Sequence, residues 1–172
     1  MEEKRDLEGK TLLRDFSGLL ESRNLNEEER TIEFPFSSET PVDRGYLGKE
    51  ILDHREGSID FSRLNAAAPL LFNHSPDAVL GVVERGYLDK TKKRGMAVVR
   101  FAKNAAGEEA LNLVKDGIYR NVSFGYSVNE TEEMGDGAYR VTSFTPAEVS
   151  LVSVPADYSV GVSRAKSEGL SD

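Results

Sequence analysis

Apolar and polar residues alternate with a period of two along much of this chain. In "RTIEFPFSS" Ile32, Phe34 and Phe36 fall on one face, so Thr31–Phe36 predicts a half-buried strand. The preceding "TLLRDFSGLLESR" reads as an earlier extended segment, joined to it by the polar turn "NLNEEER". Further on, Leu70, Leu71 and Phe72 form a short apolar run ending at Asn73-His74, after which Ser75-Pro76-Asp77 predicts a turn. Strands are expected over Ala78–Glu84 and Met96–Phe101, around the basic turn Lys90–Arg94. Another is expected at 118–128, where Val122, Phe124, Tyr126 and Val128 alternate with Ser123, Gly125 and Ser127. After an acidic loop, "ETEEMGDGAYR", the last strands run over Ala138–Phe144 and Glu148–Val154, and Pro155 ends them.

The period changes once. Ala106, Ala110, Leu113 and Val114 recur at helical spacing behind the N-cap residue Asn104, and Gly117 follows, so residues 105–116 predict a helix. The expectation is a mostly β (α+β) domain, a barrel or sandwich with flanking helices, without repeats or long linkers. Residues 1–10 read as a mobile tail and 1–29 as that tail plus the first extended segment; 30–157 read as the functional domain and 158–172 as a polar C-terminal tail.

Composition narrows the function classes. The 172 residues are 38% hydrophobic and 30% charged, enough for one domain with a core and a charge-rich surface. A net charge of −8 argues against a nucleic-acid footprint, which needs clustered Lys and Arg. The absence of cysteine removes disulfides, thiolate metal sites and cysteine nucleophiles, and two histidines make a transition-metal site improbable. No cofactor is expected. "MEEKRDLEGK" lacks the apolar core of a secretory signal, and no apolar run approaches a membrane span, so no membrane partner is expected. Without secretion, the sequons at Asn73, Asn121 and Asn129 carry no glycan.

Three residues could carry chemistry. His74 stands at a strand end, where an imidazole can act as a general base near neutral pH; its simpler reading is a structural histidine. Ser123 lies opposite the apolar face of its strand and is expected to point outward, with Gly125 leaving room for another backbone, as a nucleophile needs. Its simpler reading is an ordinary strand serine. Glu148 shares a polar strand face with Ser150 and could orient a histidine; its simpler reading is an exposed carboxylate. Zinc-helix, phosphate-loop, Gly-x-Ser-x-Gly and calcium-loop patterns are all absent.

Taken in order, "APLLFNHSPDAVLGVV", "EEALNLVKDGIYRNVSFGYSV" and "AEVSLVSVPAD" resemble the tailed-phage (caudovirus) prohead serine proteases, and "RTIEFPFSSETPVDR" resembles that family's opening strand. The resemblance covers about Arg30 to Asp157. It implies a fold similar to herpesvirus assemblin, a β-barrel flanked by helices with a serine nucleophile on a strand. It implies a serine endopeptidase that cuts scaffold, or the scaffolding segment of the major capsid protein, and itself, inside the prohead within the host cytoplasm. Those proteins are the implied partners, with a homodimer as a candidate assembly. Carried over by position, the histidine falls on His74 and the serine on Ser123. The third member, a second histidine in assemblins, falls near Glu148. No oxyanion arginine has a clear place: "PADYSVGVSR" offers none before Arg164, and the backbone around Phe124 and Gly125 is the alternative. Two rivals remain: a non-catalytic capsid-assembly or scaffold-binding domain with a protease-like fold, and an acidic β-domain without chemistry.

Overall fold

The computed structural model describes residues 7–16 and 20–154. Its strands are β1 (Thr11–Phe16), β2 (Leu25–Asn26), β3 (Thr31–Ser38), β4 (Val42–Asp43), β5 (Lys49–Leu52), β6 (Pro69–Phe72), β7 (Ser75–Asp89), β8 (Arg94–Phe101), β9 (Asn121–Gly135) and β10 (Ala138–Val152). One helix, α1 (Ala105–Lys115), lies between β8 and β9. The expected helix is therefore present, and the Asn104 side chain accepts from the Gly107 N–H at 2.9 Å, which caps it.

All ten strands join one sheet, in the order β1-β9-β10-β6-β7-β8-β3-β2, with β5 and β4 branching from β10. The sheet curls into a half-barrel. Phe36 of β3 thereby meets Phe124 of β9 edge-on, 5.0 Å between ring centres, although four strands, β10, β6, β7 and β8, lie between β9 and β3 in the sheet order. The alternating apolar residues fill the inside of this curl: Ile32, Phe34 and Phe36 from β3, Val122, Phe124, Tyr126 and Val128 from β9, and Val149 and Leu151 from β10 are all at most 1% exposed.

Several boundaries differ from expectation for physical reasons. The β6–β7 connection turns at Asn73-His74, and Ser75 already pairs with Phe72. Pro76 therefore sits near the start of a strand, where a missing N–H is tolerated, and does not form a turn. The acidic stretch Glu130–Gly135 continues β9, because β10 keeps pairing with it as far as Ala138↔Gly135, with β5 on the other side of β10; charged side chains on this exposed stretch of β9 cost little. Residues 7–10 are not a tail. Leu7 is 3% exposed, and the Gly9 N–H donates to the Val128 carbonyl, so this segment leads β1 onto β9. The neighbourhood of Arg164 lies outside the described residues.

Candidate active site

The site is assembled on β9 and β10 and completed by the β6–β7 turn. β9 sends its even-numbered apolar side chains inward, so Ser123 and Gly125 share the opposite face, and β10 sets Ser150 beside Ser123 and Glu148 beside Gly125. Across β10, β6 runs parallel, with Leu151 opposite Phe72. The turn that follows is only two residues long. Both have positive φ, Asn73 at 50° and His74 at 61°, the pattern of a type I′ hairpin. Asparagine and histidine are among the few non-glycine residues that enter this region readily. The Asn73 N–H donates to the Leu151 carbonyl at 2.9 Å, which fixes the turn against β10 and aims the imidazole at Ser123.

The three residues singled out by the sequence meet there. His74 Nε2 lies 2.7 Å from Ser123 Oγ, and His74 Nδ1 lies 2.6 Å from Glu148 Oε1. A carboxylate can only accept, so Nδ1 carries the proton and Nε2 presents its lone pair to the serine hydroxyl. The arrangement can pass a proton from a serine oxygen to an imidazole and hold the resulting cation against a carboxylate.

A fourth residue, Ser150, has a role the sequence reading did not assign. Its Oγ accepts the backbone N–H of His74 at 3.0 Å and donates to Glu148 Oε2 at 2.8 Å. One buried hydroxyl thus positions both the turn and the carboxylate. Its place on the same strand face as Glu148 was the available signal.

Two expectations look different in three dimensions. Ser123 does lie opposite the apolar face, yet it is 0% exposed. Its hydroxyl also stands 3.0 Å from the Arg14 carbonyl of β1, which pairs antiparallel with β9. Gly125 does provide room, but Glu148 takes it: a Cβ at 125 would stand 2.8 Å from Glu148 Oε1. The Phe124 side chain packs in the core against Phe36 and Tyr126. A cleft of about 330 Å³ between Glu21, Glu33 and Arg94 is lined by none of the three site residues.

A second Ser–His pair exists. Ser37 Oγ lies 2.8 Å from His54 Nε2, and His54 Nδ1 faces the Leu52 carbonyl at 2.9 Å. Both residues are at most 2% exposed, and the partner is a carbonyl where a carboxylate would be needed to stabilise an imidazolium, so this pair ties β3 to β5. Burial pushes the His54 pKa below the ordinary value, which keeps it neutral. Among the described residues no cluster of three or more His, Cys, Asp or Glu could hold a metal ion, and no helix is long and apolar enough to cross a membrane.

A family model described as caudovirus prohead serine protease matches residues 52–170, a span that includes the β6–β7 turn, β9 and β10. The chain belongs to the caudovirus prohead serine protease family. The major capsid protein of Halomonas phage phiHAP-1 is 43% identical over 142 residues, which cover 78% of this chain and 23% of that protein. The chain thus spans less than a quarter of that curated relative. Among solved structures, the bacteriophage T4 capsid assembly protease, gp21, superposes with a TM-score of 0.59 at 14% identity, covering 84% of this chain and 98% of gp21. This prohead protease relative therefore shares its fold with a capsid protease across nearly all of that chain.

Proposed function

We propose that the chain is a serine endopeptidase of capsid maturation, with Ser123 as nucleophile, His74 as general base and acid, and Glu148 as the group that orients the imidazole. The observation that carries this reading is the continuous chain Ser123 Oγ–His74 Nε2, His74 Nδ1–Glu148 Oε1, at 2.7 and 2.6 Å, in a member of a protease family. In the reaction Ser123 Oγ bonds to the peptide carbonyl carbon as its proton passes to His74 Nε2. The C–N bond then breaks, and His74 returns that proton to the leaving amine. Water, deprotonated by His74, displaces the acyl group and restores the serine. The developing oxyanion needs N–H donors, for which the Phe124–Gly125 backbone beside the nucleophile is our candidate.

The substrates we propose are scaffold or the scaffolding segment of the major capsid protein, and the protease itself, within the prohead. That a segment like this chain occurs inside a protein named major capsid protein supports this, since protease and capsid subunit would then enter the shell as one polypeptide. The protease domain we propose spans 30–157, with β1 supplied by the segment before it.

Ser123→Ala should abolish cleavage of co-expressed capsid and scaffold proteins while leaving the fold intact. Wild-type-like processing by that variant would falsify the assignment. A second reading, a scaffold-binding domain that keeps a protease-like fold, is favoured by the complete burial of Ser123. A fluorophosphonate separates them: covalent labelling at Ser123 that disappears in His74→Ala supports the enzyme, and its absence supports the binding module.

A further inference from the structure

Among the described residues β1 ends the strand order and pairs with β9, and it covers the residue that a substrate must reach. Its register puts Asp15 opposite Ser123 and Arg14 opposite Phe124. Ser123 Oγ has one proton and two acceptors within reach, His74 Nε2 at 2.7 Å and the Arg14 carbonyl at 3.0 Å. While β1 is in place, the Arg14 carbonyl competes for the proton that His74 would take, and the hydroxyl is wholly shielded.

The strand is fastened by charge from the inner face. Arg14 Nη2 donates to Glu50 Oε1 at 2.8 Å and to the Glu50 carbonyl at 3.0 Å, and its Nη1 donates to the Thr40 carbonyl at 3.0 Å. Arg44 donates to the Leu13 carbonyl at 3.0 Å and reaches the same Glu50 carboxylate at 3.2 Å. Tyr126 and Tyr139 donate to Glu50 as well. Glu50 keeps Arg44 and both tyrosines when Arg14 leaves, so withdrawing β1 does not strand a bare buried charge.

We infer that β1 is a resident strand in the substrate's place, held there by an Arg14–Glu50 latch, and that the edge of β9 uncovered by moving Thr11–Phe16 is where an extended polypeptide adds as an antiparallel strand. An uncovered edge presents backbone N–H and C=O groups that such a peptide satisfies, and its carbonyl then lies where the Arg14 carbonyl lies now. The inference rests on Ser123 being the nucleophile only for its catalytic consequence; the covering of residue 123 can be tested without catalysis.

The chain has no cysteine, so Ser123→Cys carries a single thiol whose alkylation rate reads access. Adding Arg14→Ala should raise that rate roughly ten- to a hundredfold, the change in open population expected from losing charge-assisted hydrogen bonds, with far-UV circular dichroism unchanged. An equal rate overturns the latch. The opposite arm needs no weakening of the fold. Thr11 and Ser127 are opposite each other, at a separation a disulfide can span, so Thr11→Cys/Ser127→Cys clamps β1 when oxidised. The oxidised form should label with fluorophosphonate at least about tenfold more slowly than the reduced form, as a shut gate requires; equal labelling overturns the proposal. If no form labels while the Arg14→Ala thiol reacts faster, the protease reading fails and the resident strand stands.

Discussion

The space beside Gly125 is occupied by the Glu148 carboxylate, whose Oε1 would lie 2.8 Å from a Cβ added there. In the proposed mechanism the glycine thus helps set the position of Glu148, although it contributes no side chain. Gly125→Ala should leave the sheet intact, because the atom in the way is the tip of a flexible side chain. It should push Glu148 off His74 Nδ1 and lower activity by up to about a hundredfold, the scale of a misplacement near 1 Å. Turnover of a capsid-derived peptide, set against thermal melting, checks this. Unchanged turnover would show that Glu148 does not depend on that gap.

Removing the charge of Glu148 separates orientation from nucleophilicity. Glu148→Gln keeps the shape but can present an N–H toward Nδ1, which favours the wrong imidazole tautomer. The expected loss is on the order of 10³–10⁴-fold, against roughly 10⁶-fold for Ser123→Ala, following the hierarchy of triad deletions. Equal losses in the two variants, measured as single-turnover cleavage rates, would mean that the carboxylate does more than orient.

Ser150 connects the backbone of His74 to Glu148 Oε2, at 3.0 and 2.8 Å. Ser150→Ala should lower the cleavage rate about tenfold, the effect of one net hydrogen bond, with little change in substrate affinity. Ser150→Thr, which keeps the hydroxyl, should recover most of it. A loss confined to thermal stability, with the rate untouched, would reduce Ser150 to a structural role.

The parts of this site legible in the sequence were those set by local periodicity. The alternation of Val122, Phe124 and Tyr126 determined which face Ser123 would take, and the order of the three blocks around His74, Ser123 and Glu148 carried the family likeness. What the sequence withheld is non-local. Pro76 pointed to the wrong turn, because the pairing of Phe72 with Ser75 depends on β6 being docked against β10. Nothing near Thr11–Phe16 announces that it will lie on β9, since its partner residues are more than a hundred positions away. Nothing in the sequence singles out Glu50, on which Arg14, Arg44, Tyr126 and Tyr139 converge from separate elements.

That convergence carries a stability prediction. Burial alone would raise the Glu50 pKa, but the Arg14 and Arg44 charges outweigh it and hold the carboxyl below the ordinary value, while burial pushes Tyr126 up to about 12. Glu50→Ala leaves two arginines facing a site with no counter-charge and should cost about 3–5 kcal/mol in denaturant unfolding. Glu50→Gln should cost less, since it keeps acceptors for the tyrosines. A loss under about 1 kcal/mol for Glu50→Ala would place the cluster among weak surface pairs.

Acid sensitivity should come in part from the buried pair away from the site. His54 is held neutral by burial, donating from Nδ1 to the Leu52 carbonyl and accepting from Ser37 at Nε2. Its folded-state pKa is depressed below 6.5, so between that value and its folded pKa the unfolded chain binds the extra proton. Stability from this group is therefore complete above about pH 6.5 and declines as pH falls below it, with a slope approaching about 1.4 kcal/mol per pH unit. His54→Asn should be less stable than wild type at pH 8, because a hydrogen bond and ring packing are lost. It should also show a shallower decline between pH 6.5 and 5, because one titrating group is gone. Urea unfolding at several pH values measures both, and parallel curves for the two proteins would remove His54 from the acid response.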